Sequence, residues 1–266
     1  MARASTSPPN RAFKARSNRC FPPHPRGGPL AKDEVAVWWL ATDAAGPADI
    51  RRWFDTLDQD ERARAERFHF KEDRRDFIAA HALLRAALTS HFGVPAKDWR
   101  FLVDANGKPS LAPRAGRPEV AFNLSHARGL VAAAVASHGE IGVDVEKIDA
   151  AKADFAVAEA YFAPAEVEML RRTPPAGRPM CFFRLWTLKE AYIKAIGAGL
   201  AAPLDSFAFT FEPIRIDFRP GVRGNATDWQ FAILPTTDQH VLSVAVGRPA
   251  AMKARLAPRA LAPRNL

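Results

Sequence analysis

The sequence predicts an α+β protein that is a pseudo-dimer of two similar halves, each a mostly antiparallel sheet packed with helices. A strand followed by helices and then by several strands occurs twice, over residues 34–138 and again over 139–247. Apolar residues make up 48% of the 266-residue chain and charged residues 25%, as in ordinary globular proteins. No window approaches the run of about 18 apolar residues that a membrane helix needs. The composition therefore favours a globular body over a membrane protein.

In the N-terminal half, local signals predict one long helix among short strands. Asp58 offers an N-terminal cap for a short helix, and apolar residues at helical spacing predict a long helix over 73–91. Strands rich in β-branched, aromatic or small apolar residues are expected at 35–41, 99–103, 120–123 and 130–136. The dipeptide Asn106-Gly107 marks a turn, and 124–129 is predicted to be a loop.

The C-terminal half is expected to repeat this order of elements. Its expected elements are a strand at 141–146, helices at 154–162, 164–171 and 179–196, and strands at 207–211, 229–234 and 241–246. The likeness between the halves lies in this order and not in residue identities.

The formal charge of +9 comes from the two ends of the chain. Residues 1–32 hold seven basic residues and 248–266 hold five, with no acidic residue in either segment. The remaining 26 basic and 29 acidic residues give 33–247 a net charge of −3. Both ends are rich in proline, so 1–33 and 248–266 are predicted to be disordered basic tails. A DNA-binding domain usually carries its basic face on the folded part, so the charge does not favour that class.

The segment 141–146 (IGVDVE) places two carboxylates on one face of a strand. Side chains alternate along a strand, so the three aliphatic residues share a face that can be buried, while Gly142, Asp144 and Glu146 share the other. Two carboxylates about 7 Å apart repel each other unless a cation or a proton lies between them. Gly142 leaves room for a ligand to approach the backbone. The pattern suits magnesium, and it equally suits a half-buried strand with a polar outer face.

A second informative segment, 186–194 (WTLKEAYIK), lies on the predicted helix 179–196. Helical spacing puts Trp186, Glu190 and Lys194 on one stripe. Such a stripe could bind a metal ion through Glu190 and phosphate oxygens through the lysines. By itself the segment is more typical of an exposed Glu–Lys pair, worth roughly 0.3–0.5 kcal/mol.

Together the two segments resemble the signature pair of the 4′-phosphopantetheinyl transferase superfamily. Asn106-Gly107-Lys108-Pro109 is similar to the family's Gly-Lys-Pro motif, and 122–126 (FNLSH) is similar to its Asn-x-Ser-His motif. The segment 161–166 (YFAPAE) resembles the family's aromatic segment that ends in glutamate. The motifs follow the family's order across 106–205. The length resembles the longer, Sfp-type (surfactin-synthetase-activating) class, in which two halves are fused into one monomer.

The resemblance implies transfer of the 4′-phosphopantetheine moiety of coenzyme A to a serine of an apo carrier protein, with release of 3′,5′-ADP. The carrier would be of the fatty-acid, polyketide, nonribosomal-peptide or aminoadipate-reductase type. Magnesium is expected on Asp144, Glu146 and Glu190. Glu166 matches the glutamate proposed as general base for the serine, and Lys194 is expected to offset charge on the leaving group.

Coenzyme A is expected to contact basic and polar residues of both halves. The residues that match, or are candidates for, this contact are Lys108, Ser125, His126, Lys189, Lys194, Arg64 and Arg85. The sequence departs from the family at His81, where an arginine is usual. Arg62 and Arg67 are therefore further candidates for the 3′-phosphate, beside Arg64 and Arg85.

Two other classes of protein remain open at this point. A non-catalytic coenzyme A-binding protein could keep the same fold, although such a copy would tend to lose Glu146, Glu166 or Glu190. A nucleic-acid-binding protein would rest on the basic tails alone. Two distant cysteines, Cys20 and Cys181, suit a reducing compartment. The expectation is a cytoplasmic monomer with no nucleic-acid or membrane partner.

Overall fold

The computed structural model describes residues 29–104, 108–113, 119–199, 202–222 and 224–266, where one order of elements occurs twice. The N-terminal half contains β1 (Glu34–Ala41), α1 (Pro47–Phe54), α2 (Gln59–Glu66), α3 (Lys71–Phe92), β2 (Phe101–Val103), β3 (Pro109–Leu111), β4 (Ala121–Ala127) and β5 (Leu130–Ala136). The C-terminal part contains β6 (Glu140–Lys147), α4 (Phe155–Tyr161), α5 (Pro164–Arg172), α6 (Arg178–Ile196), β7 (Phe207–Phe211), β8 (Ile214–Phe218), β9 (Trp229–Leu234), β10 (His240–Gly247) and β11 (Arg255–Leu261). The α+β class and the two similar halves are confirmed. The predicted turn at Asn106-Gly107 and residues 1–28 of the predicted N-terminal tail lie outside the described residues.

The two halves share their sheet order and the way their long helices end. β5 pairs with β1 and β4, and β10 pairs with β6 and β9, always antiparallel. Both α3 and α6 end at a glycine with positive φ, Gly93 at 70° and Gly197 at 67°, where other residues would be strained. No helix in the described ranges is both long and apolar enough to cross a membrane.

An apolar layer between the two sheets joins the halves. β1 and β5 contribute residues such as Val37 and Leu130, and β6 and β10 contribute residues such as Val143 and Val244. Two further clusters pack around α3 and α6. The layer holds β4 of the first half against β6 of the second, and this seam carries the candidate site.

The strand β4 is longer than the sequence predicts. It runs to Ala127 instead of ending at residue 123, because Gly129, at φ 94°, lets the chain reverse in a tight turn. Ser125 and His126 therefore lie on a strand and not in a loop. Neither α1 nor β8 is predicted from the sequence, because the periodic signals of both are short.

The C-terminal segment 248–266 is ordered through β11, so the prediction of a disordered tail there is wrong. β11 pairs in parallel with β1 along its whole length. Pro258 is tolerated because β11 is the edge strand of its sheet. Leu261 and Leu266 pack against the N-terminal core. The composition indicates a segment without a core of its own, and β11 instead covers the edge that β1 would expose.

We expect deletion of residues 253–266 to lower the free energy of unfolding by about 2–4 kcal/mol, because it removes a strand ladder and two partly buried leucines. Urea unfolding of the truncated and full-length chains measures this. Deletion of 1–28, which lies outside every motif, is the control and should leave the unfolding free energy nearly unchanged. Equal stability of the 253–266 deletion and the parent would show that the β11 ladder contributes nothing.

Candidate active site

β6 carries its two acids on the face that packs under α6. Ile141, Val143 and Val145 are buried in the layer between the sheets, as the alternation predicts. On the other face, a Cβ at Gly142 would lie 1.8 Å from the carbonyl oxygen of Ala191 in α6. The room expected for a ligand at Gly142 is therefore filled by the helix. Because Gly142 has no side chain, α6 can pack directly against the strand that carries the acids.

Asp144 is 4% exposed, and only one of its carboxylate oxygens accepts side-chain hydrogen bonds. Its Oδ1 accepts hydrogen bonds from Lys194 Nζ at 2.6 Å and Ser125 Oγ at 3.0 Å. Its Oδ2 is buried and has no hydrogen-bond partner among the described residues. Burial raises the pKa of Asp144, and Lys194, Ser125 and the backbone N–H of Val145 oppose that shift. A buried carboxylate oxygen without a donor is unfavourable unless it binds a cation.

Glu146 and Glu190 add two carboxylates whose charges reach Asp144. Burial first, and then the charge of Asp144, raise the pKa of Glu146 to about 7; Lys194 opposes the rise and Glu190 adds to it. Burial and Asp144 also raise the pKa of Glu190. In the described part of the chain, no three acidic, histidine or cysteine side chains already surround one point as a preformed metal site. Their charges and oxygen donors nevertheless fit a hard divalent cation.

The accessible stripe of α6 leads into this acidic cluster. From residue 181 to 195 the helix is buried except at Arg184, Trp186, Glu190 and Lys194. The stripe of Trp186, Glu190 and Lys194 that helical spacing predicts is thus the face that solvent reaches. A partner molecule arriving at Glu190 would meet Trp186 one turn earlier in the helix.

A cavity of about 410 Å³ lies at the seam between the halves. Its charged and polar lining residues are Arg64, His81, Lys108, Asn123, Ser125, His126, Glu190 and Lys194. Arg64, Lys108 and Lys194 carry positive charge there, so the cavity favours a polyanion. Burial lowers the pKa of His126, and the charges of His81, Lys194 and Arg64 lower it further. The fold therefore gathers six predicted site residues, from both halves, around one space.

A larger cavity, of about 950 Å³, adjoins the first across Lys108 and Pro109. It extends along β3, the start of β4 and residues 137–141, and its lining includes none of the three acids among the described residues. Lys108 stands between the two spaces and donates from Nζ to the carbonyl oxygen of Ala195 at 2.8 Å. The chemistry of the lining, and not the volume, makes the smaller cavity the candidate site.

Glu166 and Lys189 form a buried ion pair away from solvent, which does not fit their expected roles. Glu166 is 0% exposed, and its carboxylate lies 2.7 Å from Lys189 Nζ. The same carboxylate accepts hydrogen bonds from the backbone N–H groups of Ala163 and Phe209. Burial raises the pKa of Glu166 and lowers that of Lys189, and their pairing opposes both shifts. An enclosed carboxylate with three donors cannot take a proton from an incoming serine, and Lys189 cannot reach a pyrophosphate.

Arg85 is likewise inside the protein, so the expected contact with coenzyme A does not fit its position. Its guanidinium is fully buried and lies 2.6 Å from Glu61 and 3.0 Å from Asp58. It also donates to the carbonyl oxygens of Ala96 and Trp99. Of these two arginines expected to contact coenzyme A, Arg64 lines the cavity and Arg85 is structural.

The two buried pairs occupy equivalent places in the two halves. Glu61 and Glu166 are both the third residue of a short helix, where the carboxylate of each accepts a hydrogen bond from the backbone N–H of the N-cap residue. Arg85 and Lys189 each precede the terminal glycine of their long helix by eight residues. The two halves therefore bury a charged pair at the same place. Each ion pair joins a long helix to the short helix that precedes it.

Glu61 contacts the candidate site indirectly, through His81. Its Oε1 lies 2.8 Å from Nδ1 of His81, a residue that lines the cavity. Burial alone would raise the pKa of Glu61, but His81 and Arg85, with the backbone of Asp58, lower it to about 2. The capping box is readable from Asp58 and Glu61, whereas the contact with His81 joins two helices and leaves no local signal.

The N-terminal half has apolar residues where the C-terminal half has acids. When α6 and α3 are aligned on the glycines that end them, Glu190 corresponds to Ala86. When β6 and β1 are aligned on their buried faces, Asp144 corresponds to Trp38. The ring of Trp38 lies 4.5 Å from the guanidinium of Arg259 on β11. The edge of β1 is thus covered by β11, whereas the corresponding edge of β6 faces β4 and the cavity.

Comparison with known proteins agrees with this arrangement of two halves around one site. Residues 140–245 match the model of the 4′-phosphopantetheinyl transferase superfamily, and 44–138 match that of the 4′-phosphopantetheinyl transferase N-terminal region. The 4′-phosphopantetheinyl transferase HetI of Nostoc is 35% identical over 224 residues, which is 84% of this chain and 92% of that protein. The 4′-phosphopantetheinyl transferase Sfp of Bacillus subtilis is 30% identical over 59% of this chain and 67% of its own length. The chain therefore belongs to the 4′-phosphopantetheinyl transferase superfamily, in its Sfp-type, two-half class.

Proposed function

We propose that this chain transfers the 4′-phosphopantetheine moiety of coenzyme A to a serine of an apo carrier protein and releases 3′,5′-ADP. The observation that carries the proposal is the meeting of Glu190 with basic side chains from both halves at one seam cavity. Asp144 of β6 lies directly behind this lining, bonded to Ser125 and Lys194. Coenzyme A bears a pyrophosphate and a 3′-phosphate, so its nucleotide end suits a lining that includes Arg64, His81, Lys108 and His126. No comparison favours the alternative of a non-catalytic coenzyme A-binding protein.

The donor set supports magnesium as the cofactor. Asp144, Glu146 and Glu190 would hold the ion through carboxylate oxygens, and the unpartnered Oδ2 of Asp144 is the observation that fits it. When bound, the ion would neutralise the pyrophosphate and make 3′,5′-ADP a better leaving group. Lys194, which is paired with Asp144, would offset the same negative charge as the bond to the leaving group breaks.

The proton of the serine needs an acceptor other than the buried Glu166. Glu190 lies on the accessible stripe of α6, so one of its carboxylate oxygens would be open to accept the proton while the other holds the ion. The serine oxygen would attack the phosphorus bonded to pantetheine, the bond from that phosphorus to 3′,5′-ADP would break, and the proton would pass to Glu190. The nucleophile belongs to the carrier, so the chain needs no activated serine or cysteine of its own.

A cytoplasmic monomer completes the proposal. Cys181 is a free, buried thiol, as a reducing compartment favours. The cavity is lined by residues from both halves of one chain, so a second copy is not needed to complete it.

Intact-mass spectrometry of apo carrier proteins tests the function directly. The chain is incubated with coenzyme A, magnesium and a panel of fatty-acid, polyketide, nonribosomal-peptide and aminoadipate-reductase carriers. We expect at least one carrier to gain the mass of one phosphopantetheine, with an equal amount of 3′,5′-ADP formed. Chelation of the metal, or replacement of the carrier serine by alanine, should abolish the gain. Tight binding of coenzyme A without transfer to any carrier would instead favour the non-catalytic alternative.

A further inference from the structure

The turn between β4 and β5 is held by both halves of the chain. Arg128 and Gly129 form this two-residue turn. The central peptide group of such a turn cannot pair within its own hairpin, so its N–H group and its carbonyl oxygen need partners from elsewhere. The N–H of Gly129 donates to Asp76 Oδ2, on α3, at 3.0 Å. The carbonyl oxygen of Arg128 lies 2.9 Å from Nε2 of His240, on β10. One peptide group is therefore bonded to both halves.

The ring of His240 is held in the tautomer that this contact needs. A carbonyl oxygen only accepts, so Nε2 carries a hydrogen and donates to Arg128. Nδ1 lies 2.7 Å from the hydroxyl of Thr237, which is the donor when the ring is neutral. His240 is 8% exposed. Burial and the charge of Lys147 lower its pKa, against the bond to Arg128 and two nearby acids. A buried, oriented imidazole thus links the two halves.

The bond of His240 lies at the end of the seam that carries the candidate site. In the ladder between β10 and β6, His240 pairs with Lys147, the residue after Glu146. On the other side of the bond, Arg128 lies two residues after His126, which lines the seam cavity. The contact therefore joins the strand pair that carries a proposed metal ligand to the strand that lines the cavity from the other half.

A second buried side chain makes the same kind of contact at the opposite end of β10. Arg248 is 6% exposed and donates to the carbonyl oxygens of Lys32, before β1, and His138, after β5, both at 3.2 Å. Eight residues of extended chain place it about 25 Å from His240. Of these two contacts between the halves, that of His240 lies beside Glu146, and that of Arg248 lies at the far end of the strand.

We propose that His240 is a positioning residue for coenzyme A: its bond to the carbonyl oxygen of Arg128 fixes the end of β4 against the C-terminal half, so that residues from both halves bind one ligand. His240 is not among the described residues that line the cavity, so it acts through the turn. The inference rests on the proposed function, because it takes the seam cavity as the coenzyme A site. Without the bond, the turn would leave the binding arrangement part of the time, and the apparent affinity would fall with the fraction of molecules that keep it.

Three variants of the full-length chain test the inference in transfer assays with saturating carrier and magnesium. His240→Phe keeps a ring but removes the donor, whereas His240→Gln keeps an N–H donor at a similar reach. Arg248→Met removes the contact at the other end of β10. We expect His240→Phe to raise KM for coenzyme A about tenfold and to keep kcat within about twofold of the parent, because saturating coenzyme A restores the turn. His240→Gln should recover most of the loss. Arg248→Met should lower the melting temperature, as His240→Phe does, but keep a parent-like KM.

Hydrogen exchange followed by mass spectrometry shows whether the turn itself moves. Peptides that cover residues 121–130 should exchange faster in His240→Phe than in the parent, because the turn loses one of its two anchors. Bound coenzyme A should reduce this difference. The same peptides should exchange as in the parent in Arg248→Met, whose contact lies at the far end of β10.

A parent-like KM in His240→Phe, or an equal rise of KM in Arg248→Met, would overturn the inference and leave the proposed function standing. A parent chain that neither transfers phosphopantetheine nor binds coenzyme A would contradict the proposed function, and this inference with it. If His240→Phe does not fold, Thr237→Val is measured in its place, because it removes the exposed hydroxyl that orients the ring. KM should then rise by a smaller factor, and an unchanged KM would count against the inference.

Discussion

Glu190→Gln is expected to lower the rate of transfer about a hundredfold or more while leaving the protein at least as stable as the parent. The substitution keeps the size of the side chain but removes a ligand charge and the proposed proton acceptor. It also removes a carboxylate that Asp144 repels, and this repulsion contributes to the raised pKa of Glu190. Activity and stability should therefore move in opposite directions, as is common at functional sites. Single-turnover transfer and thermal unfolding, measured on the same preparation, test both parts.

Glu168→Gln is the matched control for this experiment. Glu168 lies on α5, where its half-exposed carboxylate pairs with Arg172. An exposed pair of this kind contributes little to stability, so the control should keep both its rate and its melting temperature. Parent-like turnover of Glu190→Gln at saturating magnesium would exclude Glu190 from both the metal site and the proton transfer.

Glu166→Gln is expected to destabilise the fold by about 3–5 kcal/mol, because it leaves the ammonium of Lys189 buried without its counter-charge. The amide also replaces a carboxylate that accepts two backbone N–H bonds. Transfer per folded molecule should stay near that of the parent, since Glu166 lies outside the cavity lining. Urea unfolding, together with turnover measured well below the melting temperature, separates the two effects.

The double variant Glu166→Gln with Lys189→Met supplies the control for Glu166. Removing both charges should restore part of the lost stability, as happens when a buried ion pair is replaced by neutral residues. A single Glu166→Gln variant with parent-like stability but little transfer would contradict the structural role. That result would indicate that Glu166 is the general base.

The regular elements that bracket the site follow from local patterns in the sequence. The long helices predicted at 73–91 and 179–196 differ from α3 and α6 only by one or two residues at their ends. The alternation in 141–146 correctly separates the aliphatic residues from Asp144 and Glu146. These signals act over one strand or a few helical turns, and there the chain's own periodicity determines which residues share a face.

The environments of the charged residues could not be predicted in the same way. Lys189 and Glu190 are neighbours in one motif, yet Lys189 is fully buried while Glu190 reaches solvent. Arg64 and Arg85 look equally suited to a phosphate, yet only Arg64 reaches the cavity. In both cases the buried cation meets a capping glutamate on another helix, and a partner so distant in sequence leaves no local pattern.

By itself, the sequence determined that the chain has two α+β halves, that Asp144 and Glu146 share a strand face, and that Trp186, Glu190 and Lys194 share a helix stripe. Only the tertiary structure decided that β4 of one half satisfies the edge of β6 in the other, where Ser125 bonds to Val145 and Asp144. It also decided that β11 is ordered, because a proline-rich segment with no core of its own gains its order from the edge of β1, more than 200 residues away. Periodicity is a property of neighbouring residues, whereas burial and pairing depend on which distant segments meet.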